Sequence, residues 1–296
     1  MRIATFTHQG RRSVGAVSSD GTLVRPFALD AAQAALGALP IIERALADGR
    51  LPEPGGAPIA LAEVQLEAPL PRPRRNLFCV GRNYHAHARE LRDSVFKNNS
   101  ANTEAWPIVF TKLPESVVGP GADVRLPGAI SSQIDYEAEI TIVIGRGGRN
   151  ISRAEALGHI FGTTIINDVT ARDVQMRHQQ WDLGKSFDTF CPMGPWIVTA
   201  DELDASDTRV RCWVTPEGGV DELRQDASTR DLIFDIPTLI ETCSRGITLL
   251  PGDLIATGSP AGVGMGFNPP RWLRHGDVVR IEVDGLGSLS NRFIQE

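Results

Sequence analysis

Strand-like segments separated by glycine and proline dominate this chain from residue 77 to its end. Such runs, apolar or alternating, are typical of β-strands. They occupy residues 78–80, 108–111, 136–144, 161–167, 196–198, 209–214, 253–257 and 278–283. Because strands and helices do not alternate regularly, we predict a β-rich α+β fold and not a doubly wound parallel sheet.

Three helices are expected among these strands. One begins at Ser152, which has the capping-box spacing to Glu155, and the others cover residues 171–178 and 236–244. Residues 1–70 have a different character, with short strands at 2–7, 13–17 and 23–26 and an alanine-rich helical segment at 30–49. Three prolines between residues 68 and 75 favour an extended linker. We therefore predict a small N-terminal α+β domain over 1–70 and a main domain over 71–296.

Charge and hydropathy exclude several classes of protein. The formal net charge is −6 and no basic stripe is present, so nucleic acid and anionic membrane surfaces are not expected partners. The apolar stretches are strand-sized, far short of the roughly 20 residues that a membrane helix needs. The first residues read as a strand and not as a secretion signal. Motifs of serine hydrolases, P-loop nucleotidases, Rossmann oxidoreductases and zincins are absent from the sequence.

The cysteines indicate a reducing compartment. Cys79, Cys191, Cys212 and Cys243 lie far apart and form no C-x-x-C pair, which favours neither a zinc site nor a disulfide framework. We expect them reduced and mostly buried in a cytoplasmic protein. Since the chain has only six histidines, a metal site would use oxygen ligands and bind Mg²⁺ or Mn²⁺.

Carboxylates cluster along one predicted strand. A period of two over residues 134–144 places Asp135, Glu137 and Glu139 on one face. Same-face neighbours lie roughly 6.5 to 7 Å apart, so Glu137 and Glu139 could converge on one cation; the alternative is a strand with one solvated face. Asp168 ends the strand over residues 161–167, where it is either a further ligand or the N-cap of the next helix.

Two further segments carry potential acid–base and binding groups. His87 and Glu90 are spaced i and i+3, so that on a helix the carboxylate would orient the imidazole; a solvated pair is the alternative. Lys185 is a single lysine among apolar and small residues. The glycine-rich turn after residue 256 lets backbone amides at Gly258 and the Thr257 hydroxyl approach an anionic ligand, unless it is a plain turn.

The ordered set of these motifs resembles the fumarylacetoacetate hydrolase family over roughly residues 74–294. The carrying segments are GRNY followed by His87 and Glu90, then DYEAE, NDVTARDVQ, GKSFD and PGDLIATGSPAGVG. The resemblance implies a mixed β-sheet roll and a homodimer. It also implies that Mg²⁺, Mn²⁺ or Ca²⁺ binds to three carboxylates, namely Glu137, Glu139 and Asp168. The His87/Glu90 pair would activate water beside an active-site Lys185, and the 2-oxo acid would contact Arg172, Gln175 and Thr257.

These implications lead to an expected activity. We expect a divalent-metal-dependent hydrolase that cleaves the C–C bond of an acylpyruvate, such as fumarylpyruvate, in the catabolism of aromatic compounds. Decarboxylation of a 2-oxo acid, isomerisation of a 2-hydroxyhepta-2,4-diene-1,7-dioate-type dienol, and non-catalytic binding of 2-oxo acids remain alternatives. Residues 92–106 form a segment that is longer and more polar than in compact family members, and we interpret it as a specificity lid. Ser259 stands where many members have threonine.

Overall fold

The computed structural model describes residues 1–94, 106–177 and 180–296. Its helices are α1 (Ala31–Ala34), α2 (Leu39–Asp48), α3 (His85–Ser94), α4 (Arg172–Gln175), α5 (Asp182–Lys185) and α6 (Ile236–Ser244). Its first strands are β1 (Arg2–His8), β2 (Arg11–Val17), β3 (Leu23–Pro26), β4 (Ile59–Ala60), β5 (Gln65–Glu67), β6 (Leu77–Gly81), β7 (Ile108–Lys112), β8 (Val117–Val118), β9 (Val124–Leu126) and β10 (Ile134–Asp135). The others are β11 (Ala138–Ile144), β12 (Ile160–Asn167), β13 (Thr170–Ala171), β14 (Cys191–Thr199), β15 (Arg209–Thr215), β16 (Glu222–Ser228), β17 (Leu254–Ala256), β18 (Val278–Val283) and β19 (Gly287–Gln295).

Two large sheets form the body of the protein, which confirms the β-rich α+β prediction. The larger sheet has twelve strands, ten of them in the order β4-β3-β2-β1-β14-β12-β11-β17-β6-β7. The smaller has the order β16-β15-β18-β19-β9. Most neighbours are antiparallel, while β17 pairs with β6 and β19 with β9 in parallel, so both sheets are mixed. Strand β11 is buried along its whole length, because one face packs in the main hydrophobic core while Val143 on the other face packs in a second core cluster.

The N-terminal residues join the larger sheet directly. Strand β1 pairs with β14, with Arg2 opposite Val198 and Ile3 opposite Ile197. One hydrophobic core cluster combines Ile41 and Ile42 of α2 with apolar residues of β6, β12 and β14. Hydrogen bonding and packing therefore continue across residue 70, and the domain division at that point stays a prediction.

Local side-chain hydrogen bonds decide where the regular elements stop. The strand predicted over 134–144 is divided into β10 and β11, because the amides of Tyr136, Glu137 and Ala138 donate to side-chain oxygens. The helix predicted to begin at Ser152 was wrong. The Ser152 hydroxyl donates to the Glu155 carboxylate at 2.7 Å. The chain then makes only a 3₁₀ turn over Ala156–His159 before it enters β12.

The other two helix predictions were closer. Helix α6 covers the predicted residues 236–244, and its Asp235 N-cap accepts a hydrogen bond from the Thr238 amide at 3.0 Å. The helix predicted over 171–178 is the single turn α4, and residue 178 lies outside the described part of the chain. All four cysteines are buried and free, as expected. Across the described residues, no helix has the length and apolarity that crossing a bilayer would require.

Candidate active site

Three buried carboxylates meet where β11 and β12 run side by side. Ala138 pairs with Asn167, which places Glu137 and Glu139 beside Asp168, and the Asp168 amide donates to the Glu137 carbonyl at 2.8 Å. One carboxylate oxygen from each of the three acids lies within 4.8 Å of the other two. The strand register therefore creates the cluster that the sequence proposed for a metal ion.

The two glutamates of the cluster have opposite electrostatic environments. Glu137 accepts hydrogen bonds from Arg172 at 2.6 Å and from Lys185 at 2.5 Å. Burial opposes its ionisation, but these two cations outweigh burial and hold the pKa of Glu137 well below its usual range. Glu139 accepts the Gly258 amide at 2.8 Å and forms no ion pair with any described residue. Burial, and then its acidic neighbours, raise the pKa of Glu139 well above its usual range.

The donor set fits a hard divalent cation. All three candidate ligands are carboxylates, the oxygen donors that Mg²⁺ and Mn²⁺ prefer. The Asp168 Oδ1 atom is buried and has no hydrogen-bond partner among the described residues, although the Lys112 ammonium lies 2.8 Å away in an orientation unsuited to a hydrogen bond. A dication at the cluster would coordinate this oxygen and neutralise the repulsion on Glu139.

Two buried lysines approach the cluster from different elements. Lys185 of α5 donates to Glu137 at 2.5 Å and to Asp168 at 2.6 Å, and these carboxylates raise the pKa of Lys185 despite its burial. Lys112 of β7 is fully buried and also donates to the Val169 carbonyl at 3.2 Å. Lys112 was not among the residues predicted from the sequence. Its signal was a charged residue directly after the strand predicted over 108–111.

The predicted His87/Glu90 pair forms at the start of α3. The His87 Nδ1 atom lies 3.0 Å from Glu90 Oε2, and its Nε2 atom lies 4.0 Å from Glu137 Oε1. His87 is only 3% exposed, which excludes the solvated alternative. The Gly262 amide donates to Glu90 at 3.1 Å and holds the carboxylate in place. When Nδ1 donates to Glu90, Nε2 is the free acceptor and faces the carboxylate cluster.

Arg172 and Gln175 form a second layer of contacts. Arg172 donates to Asp135 at 2.9 Å, to Glu137 at 2.6 Å and to Gln175 at 3.2 Å. Asp135 also accepts the Gly264 amide at 2.7 Å, so this third acid of the predicted strand face anchors Arg172 and a loop. Arg172 and Gln175 still line the active-site cavity, where a substrate could contact them.

The glycine-rich turn supports the cluster from behind. The Thr257 hydroxyl is buried and donates to the Ile140 carbonyl at 2.9 Å, while the Gly258 amide holds Glu139. Neither residue lines the cavity, whereas Ser259 does. Direct substrate contact by Thr257 and Gly258 stays a prediction. In this structure Gly258 positions the Glu139 carboxylate, and the Thr257 hydroxyl bonds the backbone of β11.

The cavity between these groups is small. Its volume is about 20 Å³, comparable with the space of one buried water or ion. Its walls include Arg82, Phe110 and Trp181, three residues that the sequence analysis did not single out. The Lys185 ammonium lies 4.8 Å from the centroid of the Phe110 ring, in cation–π contact. The predicted specificity lid falls mainly on residues 95–105, which lie outside the described residues.

Comparison with known proteins shows the family. A model of the fumarylacetoacetate (FAA) hydrolase C-terminal domain matches residues 76–294, and the chain belongs to this family. Oxaloacetate tautomerase YisK from Bacillus subtilis (strain 168) is 47% identical over 241 residues, which are 81% of this chain and 77% of that protein.

Two solved structures are similar over the whole chain. A fumarylacetoacetate hydrolase from psychrophilic Exiguobacterium antarcticum has a TM-score of 0.84 at 38% identity, with 100% of both chains covered. A maleylpyruvate hydrolase from Sphingobium sp. SYK-6, solved in complex with manganese (II) ion and pyruvate, has a TM-score of 0.76 at 31% identity and covers 100% of this chain and 99% of that one. The family and the fold expected from the motifs are thereby confirmed. The roles of the individual site residues stay predictions.

Proposed function

We propose that this enzyme interconverts the keto and enol forms of oxaloacetate, with a divalent cation held by Glu137, Glu139 and Asp168. The observation that carries the proposal is the buried His87, whose Nδ1 atom is held by Glu90 at 3.0 Å while its Nε2 atom faces the carboxylate cluster. An imidazole held in this orientation is suited to accept a proton from a bound molecule and to return it. The similarity to an oxaloacetate tautomerase supports the choice of substrate.

The cation would supply Lewis acidity. When bound, it polarises the 2-oxo group and makes the adjacent CH₂ more acidic. The chain's own cations complement this effect. Lys185 and Arg172 surround Glu137 inside the cavity wall, where low solvent exposure strengthens their attraction for an anionic substrate. Gln175 can donate a hydrogen bond to a substrate carboxylate because its Oε1 atom is already engaged by Arg172.

The proton transfer balances without any other reactant. His87 Nε2 removes a proton from C3 of the keto form, and the C3–H electron pair becomes the C2–C3 double bond. The electron pair of the C2–O double bond moves to the oxygen. The imidazolium, stabilised by Glu90, then returns the proton to that oxygen and completes the enol. The reverse sequence regenerates the ketone, so no oxidant or reductant is consumed.

Hydrolysis of an acylpyruvate such as fumarylpyruvate is the second candidate. The same His87/Glu90 pair would deprotonate a water molecule, which attacks the distal carbonyl while a pyruvate enolate leaves. Similarity to a maleylpyruvate hydrolase supports this reaction. Decarboxylation of a 2-oxo acid and isomerisation of a dienol use the same enolate stabilisation and stay open. A cytoplasmic homodimer without nucleic-acid or membrane partners completes the proposal.

The test compares substrates, metals and two histidine variants. Metal-stripped protein is assayed with and without Mg²⁺ or Mn²⁺ on enol oxaloacetate, followed by its ultraviolet absorbance, and on acetylpyruvate and fumarylpyruvate. His87→Ala should abolish turnover. His85→Ala is the matched control, because His85 lies two residues earlier on the same helix and is exposed. Metal-restored decay of enol oxaloacetate supports the tautomerase. Cleavage of acylpyruvates with no effect on enol oxaloacetate supports the hydrolase. Full activity of His87→Ala would refute both the tautomerase and the hydrolase.

A further inference from the structure

A buried glutamine links the smaller sheet to the active site. Gln225 is the one buried residue of strand β16 and is 1% exposed. Its Oε1 atom accepts a hydrogen bond from the Ala138 amide at 3.0 Å. Its Nε2 atom donates to Ser259 Oγ at 2.8 Å and to the Pro260 carbonyl at 2.7 Å. The side-chain amide of Gln225 therefore contacts both the start of β11 and the glycine-rich turn after β17.

The chemistry of these partners fixes which way the side-chain amide points. A backbone amide can only donate, so the Ala138 N–H must face the side-chain oxygen of Gln225. A backbone carbonyl can only accept, so the Pro260 carbonyl must face the NH₂ group. These two contacts leave one orientation for the side chain, and in that orientation its other N–H points at Ser259.

This arrangement makes the Ser259 hydroxyl a donor. Its oxygen accepts from an NH₂ group that cannot accept in return, so the hydroxyl hydrogen must point elsewhere. None of the described residues accepts a hydrogen bond from Ser259. Ser259 is 3% exposed and lines the active-site cavity together with Arg172 and Lys185. A buried donor without an acceptor is unfavourable unless a bound molecule supplies one.

We propose that Gln225 is a positioning residue for the substrate, which holds Ser259 so that its hydroxyl donates to an anionic oxygen of a 2-oxo acid in the active-site cavity. The proposal rests on the proposed function, in which a 2-oxo acid occupies this cavity. Gln225 is not among the described residues that line the cavity, so it acts through Ser259. Its loss should therefore weaken binding of the acid only where the Ser259 hydroxyl is present.

A double-mutant cycle on pyruvate binding tests this coupling. Pyruvate is the 2-oxo acid present with manganese in the similar maleylpyruvate hydrolase structure, and calorimetric titration into Mn²⁺-loaded protein needs no turnover. Ser259→Ala should weaken pyruvate binding about tenfold, the loss of one hydrogen bond to a charged group. Gln225→Met should weaken it about fivefold alone and less than about twofold in the Ser259→Ala background. Equal effects of Gln225→Met in the two backgrounds would overturn the proposal.

A matched control separates positioning from stability. Asn291 of β19 is also buried and donates to two backbone carbonyls, those of Gly119 at 2.9 Å and Ala122 at 2.8 Å, but it is not among the described residues that line the cavity. Asn291→Leu and Gln225→Met should both lower Tm, because each leaves buried carbonyls without a donor. Only Gln225→Met should change the dissociation constant of pyruvate. An equal loss of pyruvate affinity in both variants would make Gln225 a purely structural residue.

Gln225→Glu replaces Gln225→Met in the cycle if the methionine variant does not fold. It keeps an acceptor for the Ala138 amide but also presents an acceptor to Ser259, which draws the hydroxyl hydrogen away from the cavity. Repulsion between its carboxylate and pyruvate is the same in both backgrounds and cancels in the cycle. We expect its effect to be about threefold smaller in the Ser259→Ala background, and an equal effect would overturn the proposal.

Titration of metal-stripped protein with Mn²⁺ distinguishes this proposal from the proposed function. Ser259→Ala and Gln225→Met should each bind Mn²⁺ within about threefold of the wild type, because neither residue is a candidate metal ligand. If both lose Mn²⁺ affinity as strongly as pyruvate affinity, the role assigned to the Ser259 hydroxyl is wrong. If the wild type binds Mn²⁺ but no pyruvate, the 2-oxo acid function fails and this proposal with it. Pyruvate binding with an additive cycle overturns the role of Gln225 alone.

Discussion

Replacing Glu139 by glutamine should stabilise the metal-free protein. Carboxylate oxygens of Glu139 and its acidic neighbours lie within 4.8 Å of one another, and two unit charges at that limit repel by about 3.5 kcal/mol at an effective dielectric constant near 20. If Glu139 instead stays protonated in the folded protein, the cost at pH 7 is at most about 3.7 kcal/mol, the free energy of protonating a carboxyl of ordinary pKa. Attraction by Lys185 offsets part of either value. Glutamine can still accept a hydrogen bond from the Gly258 amide. We therefore expect the free energy of unfolding of the Glu139→Gln variant to exceed that of the wild type by about 2 kcal/mol at pH 7.

The effect has a defined pH dependence. The folded-state pKa of Glu139 is raised above its unfolded value, so its protonation contributes stability that is fully present below about pH 4.3 and is lost as pH rises through the folded pKa. The difference between variant and wild type should therefore be near zero below that pH and grow above it. Urea unfolding in the presence of a chelator measures both quantities, and the gain corresponds to about 4 °C in Tm.

Glu137→Gln is the matched control, with the opposite sign. Glu137 is paired with Arg172 and Lys185, and removing one partner of a buried pair costs about 3 to 5 kcal/mol. Added Mg²⁺ should stabilise the wild type, and it should stabilise the Glu139→Gln variant less because one metal ligand is lost. If Glu139→Gln destabilises the metal-free protein as Glu137→Gln does, the assignment of repulsion to Glu139 is wrong.

Two further substitutions test positioning around the site and in the fold. Gly266→Ala places a Cβ 2.0 Å from Glu90 Oε1, so Glu90 must leave His87; we expect at least a tenfold loss of kcat with a small change in Tm, and unaltered kcat would contradict the orienting role. Asp235→Ala removes the N-cap bond to the Thr238 amide and should cost about 1 kcal/mol in urea unfolding, while Asp235→Asn should retain most of it.

Local signals were sufficient where an element carries its own start and stop. Helix α6 has an N-cap Asp235, Pro237 in its first turn and apolar residues at helical spacing, and its limits were predicted correctly. The same reasoning failed at Ser152, whose capping-box residues bond to each other while the chain continues into a strand. Strand β16 was missed because its sequence, ELRQDAS, is polar and only pairing with β15 makes it a strand.

The candidate site shows the same division. The sequence determined which residue types were present and their spacing, and this was enough to predict three carboxylates, the His87/Glu90 pair and the family. It could not show Lys112, which reaches Asp168 only because β7 pairs with β6. Nor could it distinguish Glu137 from Glu139, which are the same residue type two positions apart. Tertiary structure brings Arg172 and Lys185 to Glu137 and leaves Glu139 beside the Asp168 carboxylate. The reason is that long-range packing alone decides which charges share a buried volume.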